Sequence, residues 1–151
     1  MKFNNETLRA AVKEWLDDES KAEKKYGHIS DWDTSEVTDM SDMFFGAKSF
    51  NQPLEKWDVS QVTYMYGMFA LTSFNQPLEK WDVSKVTDMR GMFHVASSFN
   101  QPLEKWDVSK VTDMKWMFYG ASSFNQPLEK WDVSKGTNMN RMFALTNSFN
   151  Q

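Results

Sequence analysis

The stretch Trp81–Lys105, WDVSKVTDMRGMFHVASSFNQPLEK, decides the fold, because the chain writes it out almost five times. Trp32–Lys56 and Trp106–Lys130 follow the same template at 25 residues, and Trp57–Lys80 follows it at 24. Trp131 opens a fifth copy that runs to the Ser-Phe-Asn-Gln of residues 148–151. A period in the twenties marks a repeat architecture. One such unit cannot bury its own apolar face, so neighbouring units must stack to make a core.

Inside the unit, Pro53-Leu54-Glu55-Lys56-Trp57-Asp58-Val59-Ser60 places Leu54, Trp57 and Val59 at the L-x-x-L-x-L spacing of a leucine-rich-repeat strand. A period of two would point Trp57 and Val59 inward and Lys56, Asp58 and Ser60 outward. Val62–Met65 reads as a second short extended piece. Met65, Met68 and Phe69 have the i, i+3, i+4 spacing of one or two helical turns. Gly46 and Gly120 suit a helix end in two coils. Other coils carry Ala-Leu-Thr or His-Val-Ala there, so the turn must accept ordinary residues. These readings predict an α/β repeat solenoid, a leucine-rich-repeat-like stack of parallel short strands and short helical turns. Stacking would set Trp32, Trp57, Trp81, Trp106 and Trp131 in one internal column. The Met pairs and Phe44, Phe69, Phe93, Phe118 and Phe143 would form others, each buried side chain contributing roughly 1.5–3 kcal/mol.

The ends depart from the template. Asn5 is placed to cap a helix with Leu8, Ala11, Val12, Trp15 and Leu16 on one face. Gly27 ends a second helical stretch, and Ile29-Ser-Asp-Trp32-Asp-Thr34 repeats the strand spacing as a coil zero. The expected organisation is an N-terminal helical cap with coil zero over residues 1–31, then five tandem repeats over 32–151, the last incomplete. Gly136, Asn138 and Asn140 make the last coil more polar. Its strand, Lys130 to Ser134, is expected to leave one ladder edge unpaired. Trp131, Met139, Met142 and Phe143 would then be covered from one side only, an open end suited to self-association.

Composition excludes several functions. The net charge is −4 and no basic run occurs, which argues against nucleic acid as a partner. The absence of cysteine removes disulfides, thiolate metal sites and cysteine nucleophiles. No apolar run approaches the roughly 18 residues of a membrane span. Met1-Lys2-Phe3-Asn4-Asn5 leads into a charged helix, so no signal peptide is read. The two histidines, His28 and His94, lie far apart in the repeat register, and no Ser-His-Asp, Cys-His or glycine-rich phosphate motif is present. Paired carboxylates recur in every coil, whereas an active site is singular. The chain is therefore expected to be no enzyme and to need no cofactor.

No metal site is expected either. Asp33, Asp58, Asp82, Asp107 and Asp132 would form a carboxylate column able to hold calcium. A Lys56, Lys80, Lys105 and Lys130 column is expected one step away, offsetting that charge. Like charges about 5 Å apart in water repel by only ~0.8 kcal/mol. The methionine pairs, beside phenylalanine at helical spacing, read as core and not as soft-metal ligands.

The repeat supplies its own control for binding residues. Positions identical in every coil serve the stack; positions that vary are free for an individual role. The variable set around the helical turn is Tyr64, Tyr66, Arg90, His94, Lys115, Trp116, Tyr119 and Arg141. Tyr, Trp and Arg are the types enriched at interface hot spots. Trp116 stands where other coils have Asp42, Gly67, Gly91 or Arg141, so the core does not demand it.

The string W-D-V-S-x-V-T-x-M-x-x-M-F followed by S-F-N-Q-P-L resembles the BspA-like bacterial surface-protein repeat, a divergent leucine-rich-repeat family with a unit of roughly 26 residues. The lead-in Leu8–Gly27 followed by His28-Ile-Ser-Asp-Trp32 is similar to the helical start common in that family. The resemblance implies a cell-surface or extracellular location and adhesion to proteins or to other cells. No lipid-accepting cysteine and no wall-anchor tail are read in residues 1–151. The expected function is a non-enzymatic protein-binding or adhesion module of a surface protein. The alternative is a structural building block that self-assembles end to end, or a consensus-type repeat scaffold.

Overall fold

The computed structural model describes residues 1–135, 137–146 and 149–150. Gly136, one of the expected polar changes in the last coil, and Gln151, with which the fifth copy closes, lie outside the described residues.

The N-terminus forms two helices, α1 (Asn5–Asp17) and α2 (Glu19–Tyr26), followed by a 3-10 turn at Ile29–Asp31. The cap of α1 is Asn4, one residue before the expected Asn5. Asn4 Oδ1 accepts the Thr7 N–H at 2.8 Å, and Thr7 Oγ1 accepts the Asn4 N–H at 2.8 Å, a reciprocal capping box. Asn5 is thereby free for another task. Its Oδ1 accepts the Thr38 N–H at 2.8 Å and the Asp39 N–H at 3.3 Å, and its Nδ2 donates to Thr38 Oγ1 at 2.9 Å. Leu8, Ala11, Val12 and Trp15 are buried, whereas Leu16, expected on the same face, is exposed. Gly27 closes α2 at φ 79°, donating its N–H to Glu23 O at 2.8 Å.

From Trp32 onward the fold departs from the expectation. Among the described residues there is no strand and no sheet, and no helix beyond the N-terminal elements. The chain is therefore not an α/β solenoid of parallel strands, and it lacks the strand layer that a leucine-rich repeat requires. It is a stack of irregular coils. Each coil meets the next through one isolated parallel bridge, in the column Asp39, Tyr64, Asp88, Asp113 and Asn138. A further bridge joins Lys2 to Asp33.

Backbone hydrogen bonding supplies the reason. In the segment expected to be a strand, the Trp57 N–H goes to Leu54 O at 2.9 Å and the Val62 N–H to Val59 O at 3.0 Å. Donors that a strand would give to its neighbour close turns within their own coil. The same holds in the last coil, where the Trp131 N–H bonds Leu128 O at 3.0 Å, so Lys130–Ser134 presents no strand edge. The expected helical turn at Met65–Phe69 is also absent. Alternate amides there leave the coil: the N–H groups of Met65, Gly67, Phe69 and Leu71 reach the carbonyls of Asp88, Arg90, Met92 and His94 at 2.8–3.0 Å. Met68 and Ala70, between them, close turns onto Met65 and Gly67. The N–H groups of Met65 and of residues 67–71 thus all have partners without sheet or helix.

Side chains complete the joints. All five template tryptophans are buried, and four give the indole N–H to a carbonyl of the preceding turn of chain: Trp57 to Ile29 O at 2.8 Å, and Trp81, Trp106 and Trp131 to Leu54, Leu78 and Leu103 O at 2.9 Å, while Trp32 bonds Gly27 O at 3.0 Å. Phe44, Phe69, Phe93, Phe118 and Phe143 stack with ring centroids 5.6–5.7 Å apart. Asn51, Asn75 and Asn100 each accept, through Oδ1, the N–H of the equivalent asparagine one coil on, at 2.8–3.0 Å.

Candidate binding face

Two backbone positions in every coil are left-handed. The first column is Asp42, Gly67, Gly91, Trp116 and Arg141, with φ between 55° and 63°. The second, four residues on, is Gly46, Leu71, Val95, Gly120 and Leu145, with φ between 54° and 74°. This explains the mixture of glycine and ordinary residues at the turn: the conformation is fixed by the inter-coil bonds, and glycine is only its most comfortable occupant. At Gly67 a side chain would also collide, since a Cβ there would lie 2.0 Å from Asp42 Oδ1.

The left-handed turns throw their side chains onto one face. Tyr66, Arg90, His94, Lys115 and Trp116 line a hollow of about 330 Å³ together with Asp42, Phe45, Gly67 and Gly91. His94 and Trp116 continue into a second hollow of about 250 Å³, completed by Tyr119 and Arg141. Seven of the eight sequence candidates thus share one groove. Tyr64 does not; it sits exposed in the bridge column. Phe45 belongs to the groove and was missed. It is 53% exposed and stands where other coils have Ala70, His94, Tyr119 and Ala144, so the same variability test marks it. Phe45 also borders another hollow, of about 600 Å³, between Trp15 and Leu16 of α1 and the loop 46–52.

Within the groove the Arg90 guanidinium lies 2.9 Å from Asp88 Oδ2 and 3.8 Å from Asp113 Oδ2, and 5.3 Å over the Tyr66 ring. Its hydrogen bond with Asp88 raises its pKa further. Lys115 Nζ lies 4.9 Å from the Trp116 ring centre. Neither Lys115 nor Arg141 has a carboxylate partner among the described residues. His94 meets Tyr119 edge-on at 5.1 Å, and burial lowers its pKa, favouring the neutral ring. Burial raises the pKa of Asp42.

The aspartate column has a structural use. Asp33, Asp58, Asp82, Asp107 and Asp132 each accept, through Oδ1, the N–H of the serine two residues on, at 2.9–3.1 Å. Hydrogen bonds from the serine hydroxyl, then from its N–H, hold Asp33, Asp82, Asp107 and Asp132 below the usual carboxylate range. The lysine column does not offset these charges as expected. Lys80, Lys105 and Lys130 pair with Glu55, Glu79 and Glu104 at 3.2–3.6 Å, and Lys56 pairs with Asp31 at 3.2 Å. Among the described residues, no group of three or more His, Asp or Glu side chains could hold a metal ion, and no helix is long and apolar enough to cross a membrane.

No curated protein and no solved structure matches the chain. A family model does, over residues 14–84 and again over 70–151. The two overlapping matches follow the tandem repetition of the coils, and together they take in all but the first helical turns. The chain belongs to the family described as "Mycoplasma protein of unknown function, DUF285".

Proposed function

We propose that the chain is a non-enzymatic protein-binding module, an adhesion element of a surface protein. The observation that carries this reading is the gathering of seven non-repeating aromatic and basic residues into one groove, while the repeated Trp, Phe, Thr and Asn bond or stack from coil to coil. Exposed Tyr, Trp and Arg clustered in a concavity are the residue types and setting of interface hot spots. The resemblance of the coil template to the BspA-like surface repeat supports a cell-surface or extracellular location.

The test is surface plasmon resonance of purified extracellular proteins over the immobilised chain. A fourfold variant (Tyr66→Ser, Trp116→Gly, Tyr119→Ser, Arg141→Ser) runs beside it. The reading expects capture by the parent chain and its loss in the variant. Equal capture by both, or none by either, would overturn it.

A second reading, assembly through stacked coils, has its own observation. Leu128, Val133, Phe143 and Phe149 are only half-buried, whereas Leu103, Val108, Phe118 and Phe124, their counterparts one coil earlier, are fully buried. A further coil of the same template, in a second copy or in further chain, would complete their cover. Sizing over a concentration series tests it: a mass that stays monomeric removes the second-copy form.

A further inference from the structure

The groove exists because two side chains are missing. Gly67 and Gly91 leave bare backbone on two successive coils of the first left-handed column. At ~4.8 Å per hydrogen-bonded step, that is roughly 10 Å of floor without a Cβ. The rings of Phe45, Tyr66 and Trp116 stand around it. Asp42 leans over Gly67, so the open part of the floor is at Gly91, against Trp116.

Trp116 is held there against backbone preference. Its φ of 61° is one that a bulky side chain rarely adopts. Glycine at the same slot in two other coils shows that the stack needs no side chain in this place. Trp116 is 42% exposed, whereas each of the other six tryptophans is 9% exposed or less.

Charge narrows the partner. Arg90 is committed to Asp88 and Asp113. Lys115 and Arg141, on either side of Trp116, have no acidic partner among the described residues, and Asp42 is the sole carboxylate lining the two hollows. A chain of net charge −4 thus presents a cationic rim around an apolar floor.

We infer that this groove takes an extended acidic polypeptide segment. One apolar side chain of the segment lies over Gly91 against the Trp116 ring. Carboxylates flanking it pair with Lys115 and Arg141. A sulfated polysaccharide would satisfy the cations but has no apolar side chain for the floor. A neutral glycan would stack on the ring but leave both cations unpaired. The inference rests on the protein-binding reading and names the class of partner.

The test uses the full chain and four probes: a labelled peptide alternating Glu with Phe and Leu, the same peptide with Lys for Glu, heparin, and dextran. The acidic peptide should bind, shield Trp116 from acrylamide, and weaken about tenfold as salt rises from about 50 to 500 mM. Trp116→Gly, and separately Lys115→Ser with Arg141→Ser, should each weaken it about tenfold while the melting midpoint moves only a few degrees. Tyr64→Ser, outside the groove, should leave it unchanged. No peptide binding at millimolar concentration, equal binding of the lysine peptide, tighter binding of heparin or dextran, or undiminished binding by Trp116→Gly would each overturn the inference. If the acidic peptide fails while the fourfold variant still loses protein capture, the binding-face reading survives and this inference falls. If capture is also unaltered, both fall.

Discussion

Two tryptophans ten residues apart show how the template divides labour. Trp106 is 3% exposed and gives its indole N–H to Leu78 O at 2.9 Å; Trp116 leans on Lys115 at the surface. Replacing Trp106 by Phe keeps an aromatic ring but removes one of the two hydrogen bonds to Leu78 O, which retains the Trp81 N–H at 3.0 Å, so the loss costs about 0.5–1.5 kcal/mol. Trp116→Phe removes no buried bond and should stay within about 0.5 kcal/mol. Urea unfolding of both variants checks the contrast. The aspartates give a second residue-scale prediction. The folded-state pKa values of Asp82 and Asp107 are lowered by the serine bonds, so those bonds contribute above the unfolded pKa of about 4 and are lost as pH falls through the lower folded values. Acid should therefore lower the melting temperature from about pH 4 downward. In Ser84→Ala the Asp82 carboxyl should titrate at higher pH by NMR. The inside-outside assignment of Trp57, Val59 and the other template residues was legible in the sequence, because burial follows from repetition of apolar types. The indole-to-carbonyl staples were not, since spacing alone does not say where a side-chain donor points.

At the scale of elements, the sequence reading failed where backbone bonding competes. Alternation of apolar and polar residues around Trp57 is compatible with a strand and with two consecutive turns. The turns win because Leu54 O and Val59 O take the local donors, and the serine N–H goes to Asp58. The spacing of Met65, Met68 and Phe69 fits a helix, but left-handed residues at Gly67 and Leu71 interrupt any helical run. A residue such as Leu71 or Val95 gives no sequence signal for that conformation; the presence of glycine in the same slot of other coils was the available clue. The helix α1, by contrast, was legible from its periodicity. It also stands in for a preceding coil: Asn5 supplies the acceptor for Thr38 that Thr38 O supplies for Thr63. Its face is buried enough that Leu8→Ala should cost about 2–5 kcal/mol, read as a fall in the urea midpoint. A loss below about 0.5 kcal/mol would mean that α1 does not pack on the coils.

Across the whole molecule, the coils are bound by nearest-neighbour contacts of a few repeated kinds, and the face is made by the positions that do not repeat. Seven of the eight residues chosen for their variability meet in one groove, because the variable slots sit at or beside the left-handed turns and those turns share one side of the stack. Tyr64 fell outside it because its slot is the bridge residue, a distinction that variability cannot make. The central claim is that the template tryptophans are sealed inside the stack while Trp116 is displayed from it. Acrylamide quenching of tryptophan fluorescence tests this most directly. The account predicts a small accessible fraction that disappears in Trp116→Phe, with the remaining emission shielded until the chain unfolds. Ready quenching that persists undiminished in Trp116→Phe would contradict it.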